Sequence, residues 1–392
     1  MNNNRLIIFI LTLGVFGILN TEMGFIGLIP NIGTQFNVST STAGWLVSAF
    51  AIGIAISGPI MPLVMSKLER KSIMLLVLAI FVVSNVISIF TTSFTILLIA
   101  RIIPALFHPV YIALSFSVAA DSVERKDAPK AVSRVFIGVS AGMVIGVPIV
   151  NFLASQFSLA IAMSFFAVIN IIVLIMTLNF IPKMANNKTA SYGSQLQMLR
   201  RPLTWISIIV SLLFNAGIFG VYSYLTDFLN NVTGATHYIA SIALFIYGAA
   251  NIIGNILSGK LLTTIPQKAI FGLPFTLIII YSAMFVFGSQ LIPMFILTLI
   301  WGIVAGISSN ITQYIVTSAA PDAPDLSNGI FLSAVNLGTT VGTFIGGVFI
   351  STLGSNYVLL VGILASILSI YLVTVRNQKY TASADSFTEL QT

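Results

Sequence analysis

Twelve long runs of apolar residues, nearly free of charge, dominate this chain and fix what it can fold into. They cover residues 5–29, 42–65, 73–91, 95–118, 131–153, 159–181, 203–227, 237–262, 269–288, 292–317, 329–352 and 356–375. A helix needs about 20 apolar residues to cross the hydrocarbon core, and all its backbone polar groups must be bonded inside the segment. Charged residues are only 7% of the 392, against about a quarter in soluble domains. The mean hydropathy is +1.04. A water-soluble globule is excluded, and the predicted fold class is an all-α polytopic membrane protein with 12 transmembrane helices. The first run continues well past signal-peptide length to Pro30 without a small-residue cleavage pattern, so it reads as a retained helix.

The positive charges orient these helices. With an even number of spans both termini share a side. On that side fall Arg5, Lys67, Arg70, Lys71, Arg125, Lys126, Lys130, Arg134, Lys183, Lys188, Arg200, Arg201, Lys260, Lys268, Arg376 and Lys379, which are 16 of the 17 basic residues. The opposite connections carry no Lys or Arg, so the positive-inside rule predicts that both termini are cytoplasmic. Loop topology therefore accounts for the net charge of +7, and no basic face points to nucleic acid. The chain has no cysteine, which excludes disulfides and thiolate chemistry.

The chain also repeats. A shift of 200 residues places Gly138, Gly142 and Gly146 on Gly338, Gly342 and Gly346, Ser133 on Ser333, and Ala119 and Ala120 on Ala319 and Ala320. Span five thus matches span eleven, as in two parallel six-helix halves. The expected organisation is a bundle over 1–181, a polar linker over 182–202, a second bundle over 203–376 and a tail over 377–392. The six glycines, with Pro148, are expected to serve helix packing and conformational change, since small residues let helix backbones approach closely.

Particular motifs carry a resemblance. Thr21-Glu22 with Gly27-Leu28-Ile29-Pro30, Ala43-Gly44-Trp45-Leu46-Val47, Arg101 with His108, Gly146-Val147-Pro148, Ser327-Asn328-Gly329 and Asn336-Leu337-Gly338 stand in the expected spans. Over nearly its whole length the chain resembles the major facilitator superfamily, within it the drug:proton antiporter-1 family, and there the bacterial sugar-efflux and purine-efflux transporters. The resemblance implies a multi-pass protein of the bacterial cytoplasmic membrane, with spans 1, 4, 7 and 10 lining a central cavity. One departure stands out: the superfamily motif Gly-x-x-x-Asp-Arg-x-Gly-Arg-Arg between spans two and three reads Pro62 to Lys71 here, with Ser66 in place of the Asp. Glu69, or a carboxylate among Asp121, Glu124 and Asp127, could substitute for it.

Charges at membrane depth are costly, so each needs a partner, a cavity or a task. Glu22, Arg101 and His108 are the candidates for proton coupling. A carboxyl moved between wet and dry surroundings changes its protonation, and imidazole titrates near neutrality in its unperturbed state. Arg101 and His108 are seven residues apart and so share a helix face. Two readings stay open for Glu22, coupling or a static pair with Arg101. Arg101 could equally steady the irregular helix around Pro104 and Pro109, and Asp227 reads as interfacial. Asn20, His108, Asn215, Asn310, Gln313, Tyr314 and Asn336 are candidates for substrate binding. Tyr247, Asn251 and Asn255 form a fourfold ladder that suits helix-to-helix hydrogen bonding.

These residues point to a proton-coupled secondary exporter of small sugars or other small organic solutes or drugs, working by alternating access. Purine base or nucleoside efflux, or a symporter or facilitator of the same fold, is the alternative. The expected partners are a small-molecule substrate, protons and the lipid bilayer, with the chain a monomer. No enzyme activity, cofactor or metal is expected. The only histidines are His108 and His237, no His-Glu-x-x-His occurs, and no phosphate-binding Gly-x-x-x-x-Gly-Lys-[Ser/Thr] loop is present.

Overall fold

The computed structural model describes residues 3–38, 40–66, 68–184 and 196–389. Lys67, the linker residues 185–195 and the last three tail residues therefore lie outside the described structure. The chain divides into two compact units, Met1–Ala190 and Ser191–Thr392.

In the first unit, α1 spans Asn3–Gln35, α2 Thr40–Ser57, α3 Met61–Met65, α4 Arg70–Phe90 and α5 Phe94–Asp121. The helices α6 Ala128–Ala141 and α7 Val147–Gln156 follow, joined by a π turn over Gly142–Gly146, and then α8 Leu159–Phe180. In the second unit, α9 spans Pro202–Tyr222, α10 Leu225–Asn231, α11 His237–Thr264, α12 Pro266–Phe287, α13 Leu291–Ala319, α14 Pro324–Leu353 and α15 Leu359–Glu389. Among the described residues, eleven helical segments are long and apolar enough to cross a membrane, and Thr42–Ser57 is a shorter apolar helix. Large apolar side chains such as Phe90, Ile292 and Phe344 stand exposed on the flanks, as expected of a surface solvated by lipid.

The ends of the helices follow local chemistry. Asn37, at φ +54°, takes the left-handed conformation that closes α1, and Val38 N donates to Gly33 O across it. Gly354, at φ +103° and ψ +166°, ends α14 in an extended positive-φ conformation open to glycine. Ser158 and Thr236 accept from Ile161 N and Ile239 N at the starts of α8 and α11. Pro202, Pro266 and Pro324 open α9, α12 and α14, where their missing N–H is no loss.

Two predicted spans differ in detail. The run 42–65 is not one helix: α2 stops at Ser57, and α3 begins only after a turn through Gly58, Pro59 and Ile60. Pro59 supplies no N–H for the helical ladder and Gly58 favours the turn. The run 131–153 contains the π turn. Glycines four apart drift about 40° around an α-helix at each step, and the wider turn takes up that drift, so that Gly138, Gly142 and Gly146 all meet α1. A further difference lies at the C-terminus, where α15 continues as helix to Glu389 through most of the residues read as a tail.

The same pairing scheme builds both units. In the first, α1 packs on α6, α2 on α5, and α4 on α8. In the second, α9 packs on α14, α11 on α13, and α12 on α15. A Cβ on Gly138 would run into Thr12 O, and one on Gly338 into Leu212 O, its counterpart exactly 200 residues later. Gly342 likewise abuts the Ala216 backbone and Gly346 the Gly220 carbonyl. The 200-residue repeat thus appears in how helices touch as well as in the sequence.

Candidate functional site

Three ionisable side chains of the first unit, Glu22, Arg101 and His108, meet around one turn of α1. His108 of α5 points at Glu22 of α1, with Nε2 2.9 Å from Oε2 and side-chain exposures of 4% and 12%. The two atoms are close but off the line of a hydrogen bond, and His108 Nδ1 also has no aligned partner. Arg101, 1% exposed, lies two turns away on the same helix. It does not pair with the Glu22 carboxylate. Its Nη1 donates to Thr21 O at 2.8 Å and its Nη2 to Glu22 O at 3.2 Å. Nor does it reach the carbonyls around Pro104 and Pro109.

Aromatic rings complete the setting of this cation. The Arg101 guanidinium lies 4.0 Å from the centroid of Phe25 and 4.2 Å from that of Phe50, so it is held between two π faces. Such a contact attracts a cation most when water is excluded. Phe50 also meets His108 edge-on at 5.8 Å, and Phe25 stacks on Phe166 at 5.5 Å. A fixed cation, a carboxylate and an imidazole therefore share one desolvated wall, with the cation committed to backbone oxygens and the carboxylate left to the imidazole.

Amides tie the same turn of α1 to its neighbours. Thr21 Oγ1 donates to Gly17 O and accepts from Asn170 Nδ2 at 3.1 Å and Asn85 Nδ2 at 3.3 Å. Asn85, Asn170, Phe25 and Phe50 were not picked out from the sequence. Asn85 and Asn170 each interrupt an apolar run, and that was the available signal; the two phenylalanines carried none. Asn20 is fully buried against Gly146, with neither amide atom aligned to a partner.

The substrate candidates of the second unit do not gather in one place. Asn310 Nδ2 donates to Asn255 Oδ1 at 2.7 Å, and Asn255 Nδ2 to Asn251 Oδ1 at 3.3 Å. The ladder of Tyr247, Asn251 and Asn255 packs on Gly302, Gly306 and Asn310, joining α11 to α13. Gln313 Nε2 donates to Asn328 Oδ1 at 2.7 Å, joining α13 to α14. Tyr314 meets Tyr380 beside Arg376 at the end of α13. Arg376 is fully buried and donates to Ile315 O and Ser318 Oγ, a cation at the negative end of a helix. Asn215 and Asn336 bond carbonyls of their own helices, Ser211 O and Leu332 O. Asp227 bonds Ser355 Oγ and Asn231 Nδ2.

The loop between spans two and three is settled by two other carboxylates. Ser66 Oγ donates to Leu63 O, and Arg70 Nη1 pairs with Asp121 Oδ2 at 2.8 Å across the ends of α4 and α5. Glu69 caps α4. Partial burial works against its charge, yet hydrogen bonds from Ser72 Oγ, Met184 N, Ser72 N and Lys71 N hold its carboxyl down at about 2. In the second unit Arg201 grips Asp322 with both nitrogens, at 2.8 and 2.9 Å, which holds that carboxyl below its usual range.

Two parallel-wired bundles of apolar helices, one holding a buried acid, base and fixed cation, define a membrane transporter rather than an enzyme. The sequence profile of the Major Facilitator Superfamily matches residues 11–327. The chain is 30% identical over 372 residues to the inner membrane transport protein YdhP of Escherichia coli K12, covering 94% of this chain and 95% of that one. The chain belongs to the Major Facilitator Superfamily. It is also 26% identical over 377 residues to a probable sugar efflux transporter of Pasteurella multocida, covering 96% of this chain and 93% of that protein. Its fold matches the crystal structure of the human organic anion transporter MFSD10 with a TM-score of 0.77 at 15% identity, over 95% of this chain and 100% of that one.

Proposed function

We propose that this transporter is a proton-coupled exporter of small organic solutes, with sugars the first class to test, and that it works as a monomer by alternating access in a bacterial cytoplasmic membrane with both termini inside. The observation that carries this reading is the Glu22–His108 contact, a carboxylate and an imidazole 2.9 Å apart in a desolvated wall. A static structural pair would join Glu22 to Arg101, but the Arg101 guanidinium bonds the backbone of Thr21 and Glu22 instead. In this reading Glu22 is the proton-carrying group, and Arg101 keeps α1 and α5 together. Sugar export is supported by the name of the Pasteurella multocida relative.

The test is solute-driven proton movement in proteoliposomes containing a pH dye, with a panel of pentoses, thiogalactosides, purines and common antibiotics. Proton flux with the sugars, lost in Glu22→Gln, is the expected result. Full proton-driven counterflow in Glu22→Gln overturns the assignment.

A further inference from the structure

Below the Glu22–His108 pair, the face of α1 that looks toward α5 and α8 holds an unusual series of contacts. A Cβ on Gly14 would collide with the hydroxyl of Tyr111 of α5. A Cβ on Gly17 would lie 3.4 Å from Oδ1 of Asn170 of α8. One turn further stands Thr21, which accepts from Asn85 and Asn170. Gly14 thus makes room for the polar tip of Tyr111, while at Gly17 the Ile169 methyl at 2.9 Å comes nearer than the Asn170 amide.

Those tips are buried and short of partners. Tyr111, Asn170, Ser115 and Thr177 all have 0% exposure. The Tyr111 hydroxyl is flanked by those of Ser115 and Thr177, but none of the three has an aligned hydrogen-bond partner, and neither does Asn170 Oδ1. A polar atom buried without a partner costs about 1–3 kcal/mol. Polar sites of this kind are commonly completed by internal water.

We propose that the first unit encloses a hydrated polar seam between α1, α5 and α8, running from Glu22 and His108 through Asn170 to Tyr111, Ser115 and Thr177, and that it carries protons between the pair and the end of the bundle where α1 begins. The proposal rests on the coupling reading of Glu22. Among the described residues, the titratable groups facing the seam are Glu22 on α1 and Arg101, His108 and Tyr111 on α5; α4 and α8 contribute Asn85, Asn170 and Thr177, none of which titrates. Arg101 is fixed on backbone carbonyls, so it sets the field without taking part. A proton leaving the Glu22 carboxyl passes to a water, and each water or hydroxyl in turn accepts one proton and releases another. No co-reactant is consumed, and the amides orient the water without being protonated.

Two measurements on the full chain test this. Hydroxyl-radical labelling by X-ray radiolysis in nanodiscs modifies side chains beside bound water. Tyr111 is expected to be labelled well above Tyr281, which is equally buried but bonded to Gly217 O and Trp301 Nε1. A Tyr111 as silent as Tyr281 overturns the seam. Infrared spectroscopy of the protein in liposomes after a pH jump follows the carboxyl band that is missing in Glu22→Gln. Tyr111→Phe and Thr177→Val are expected to slow its relaxation roughly tenfold, while Tyr238→Phe leaves it unchanged. Normal relaxation in both folded seam variants overturns the seam and leaves coupling at Glu22 standing. Loss of no band in Glu22→Gln overturns the coupling reading, and the route with it.

Discussion

His108 Nε2 approaches Glu22 Oε2 to 2.9 Å, although a guanidinium stands on the same face of the same helix. The carboxylate thus faces an imidazole, while the neighbouring guanidinium is bound to main-chain oxygens. Arg101 keeps its own compensation in two carbonyls and two aromatic rings.

Neutralising the acid should separate transport from folding. Glu22→Gln is expected to keep the helical content and monodispersity of the wild type, while solute-driven proton movement falls at least roughly a hundredfold. His108→Gln is expected to fall in the same direction by less, since the carboxyl survives. Proteoliposome proton flux beside size-exclusion profiles checks both.

Arg101→Lys should be far from conservative. A lysine ammonium cannot donate to two neighbouring carbonyls in the planar fork that Arg101 uses, nor lie flat between Phe25 and Phe50. The loss expected is about 1.5–3 kcal/mol, the range for hydrogen bonds to a charged group. Unfolding in mixed micelles measures it, and a Lys variant as stable as wild type would show that the fork contributes nothing.

Glycines on the paired faces should tolerate no methyl. Gly138→Ala and Gly342→Ala push a Cβ onto the Thr12 and Ala216 carbonyl oxygens, and are expected to destabilise by about 1–3 kcal/mol. Gly44→Ala and Gly272→Ala meet nothing within 4 Å and serve as neutral controls. Thermal midpoints of the four variants give the comparison.

Glu69 offers a pH test with a definite sign. Its folded value of about 2 lies below the ordinary 4.5, so the carboxylate stabilises the folded state above pH 4.5, and that contribution fades as pH falls through the window down to about 2. Glu69→Gln is expected to cost about 1 kcal/mol at neutral pH, as for the loss of a helix cap. The gap between variant and wild type should close across the acid window. A gap of constant size would show that Glu69 is held by something other than its charge.

Much of this architecture was legible because a bilayer imposes simple rules. Apolar runs between polar breaks mark spans such as 73–91 and 159–181, and the structure places α4 and α8 there within a few residues. Pro59 was equally visible, but a proline in a span can kink a helix or break it, and only the packing decided for a break. Glu22, His108 and Arg101 stood out as rare charges, and the structure brings them to one turn of α1. Their partners did not stand out. Arg101 bonds backbone carbonyls, which every residue has, and Phe25 and Phe50 are two among 29 phenylalanines. The amides of α13 could be assigned to that helix from the sequence, yet whether Asn310 meets a solute or Asn255 depends on how far Gly302 and Gly306 let α11 approach.

The glycine contacts between α1 and α6, and between α9 and α14, also bear on how such a transporter changes over generations. Where a backbone oxygen fills the place of a side chain, a single substitution on either helix meets an obstacle that no rotamer can clear, and the compensating change would have to move a main chain. These four helices are thus expected to drift together and slowly. Substitutions should instead accumulate at positions such as Gly44 and Gly272, where an added methyl meets open space.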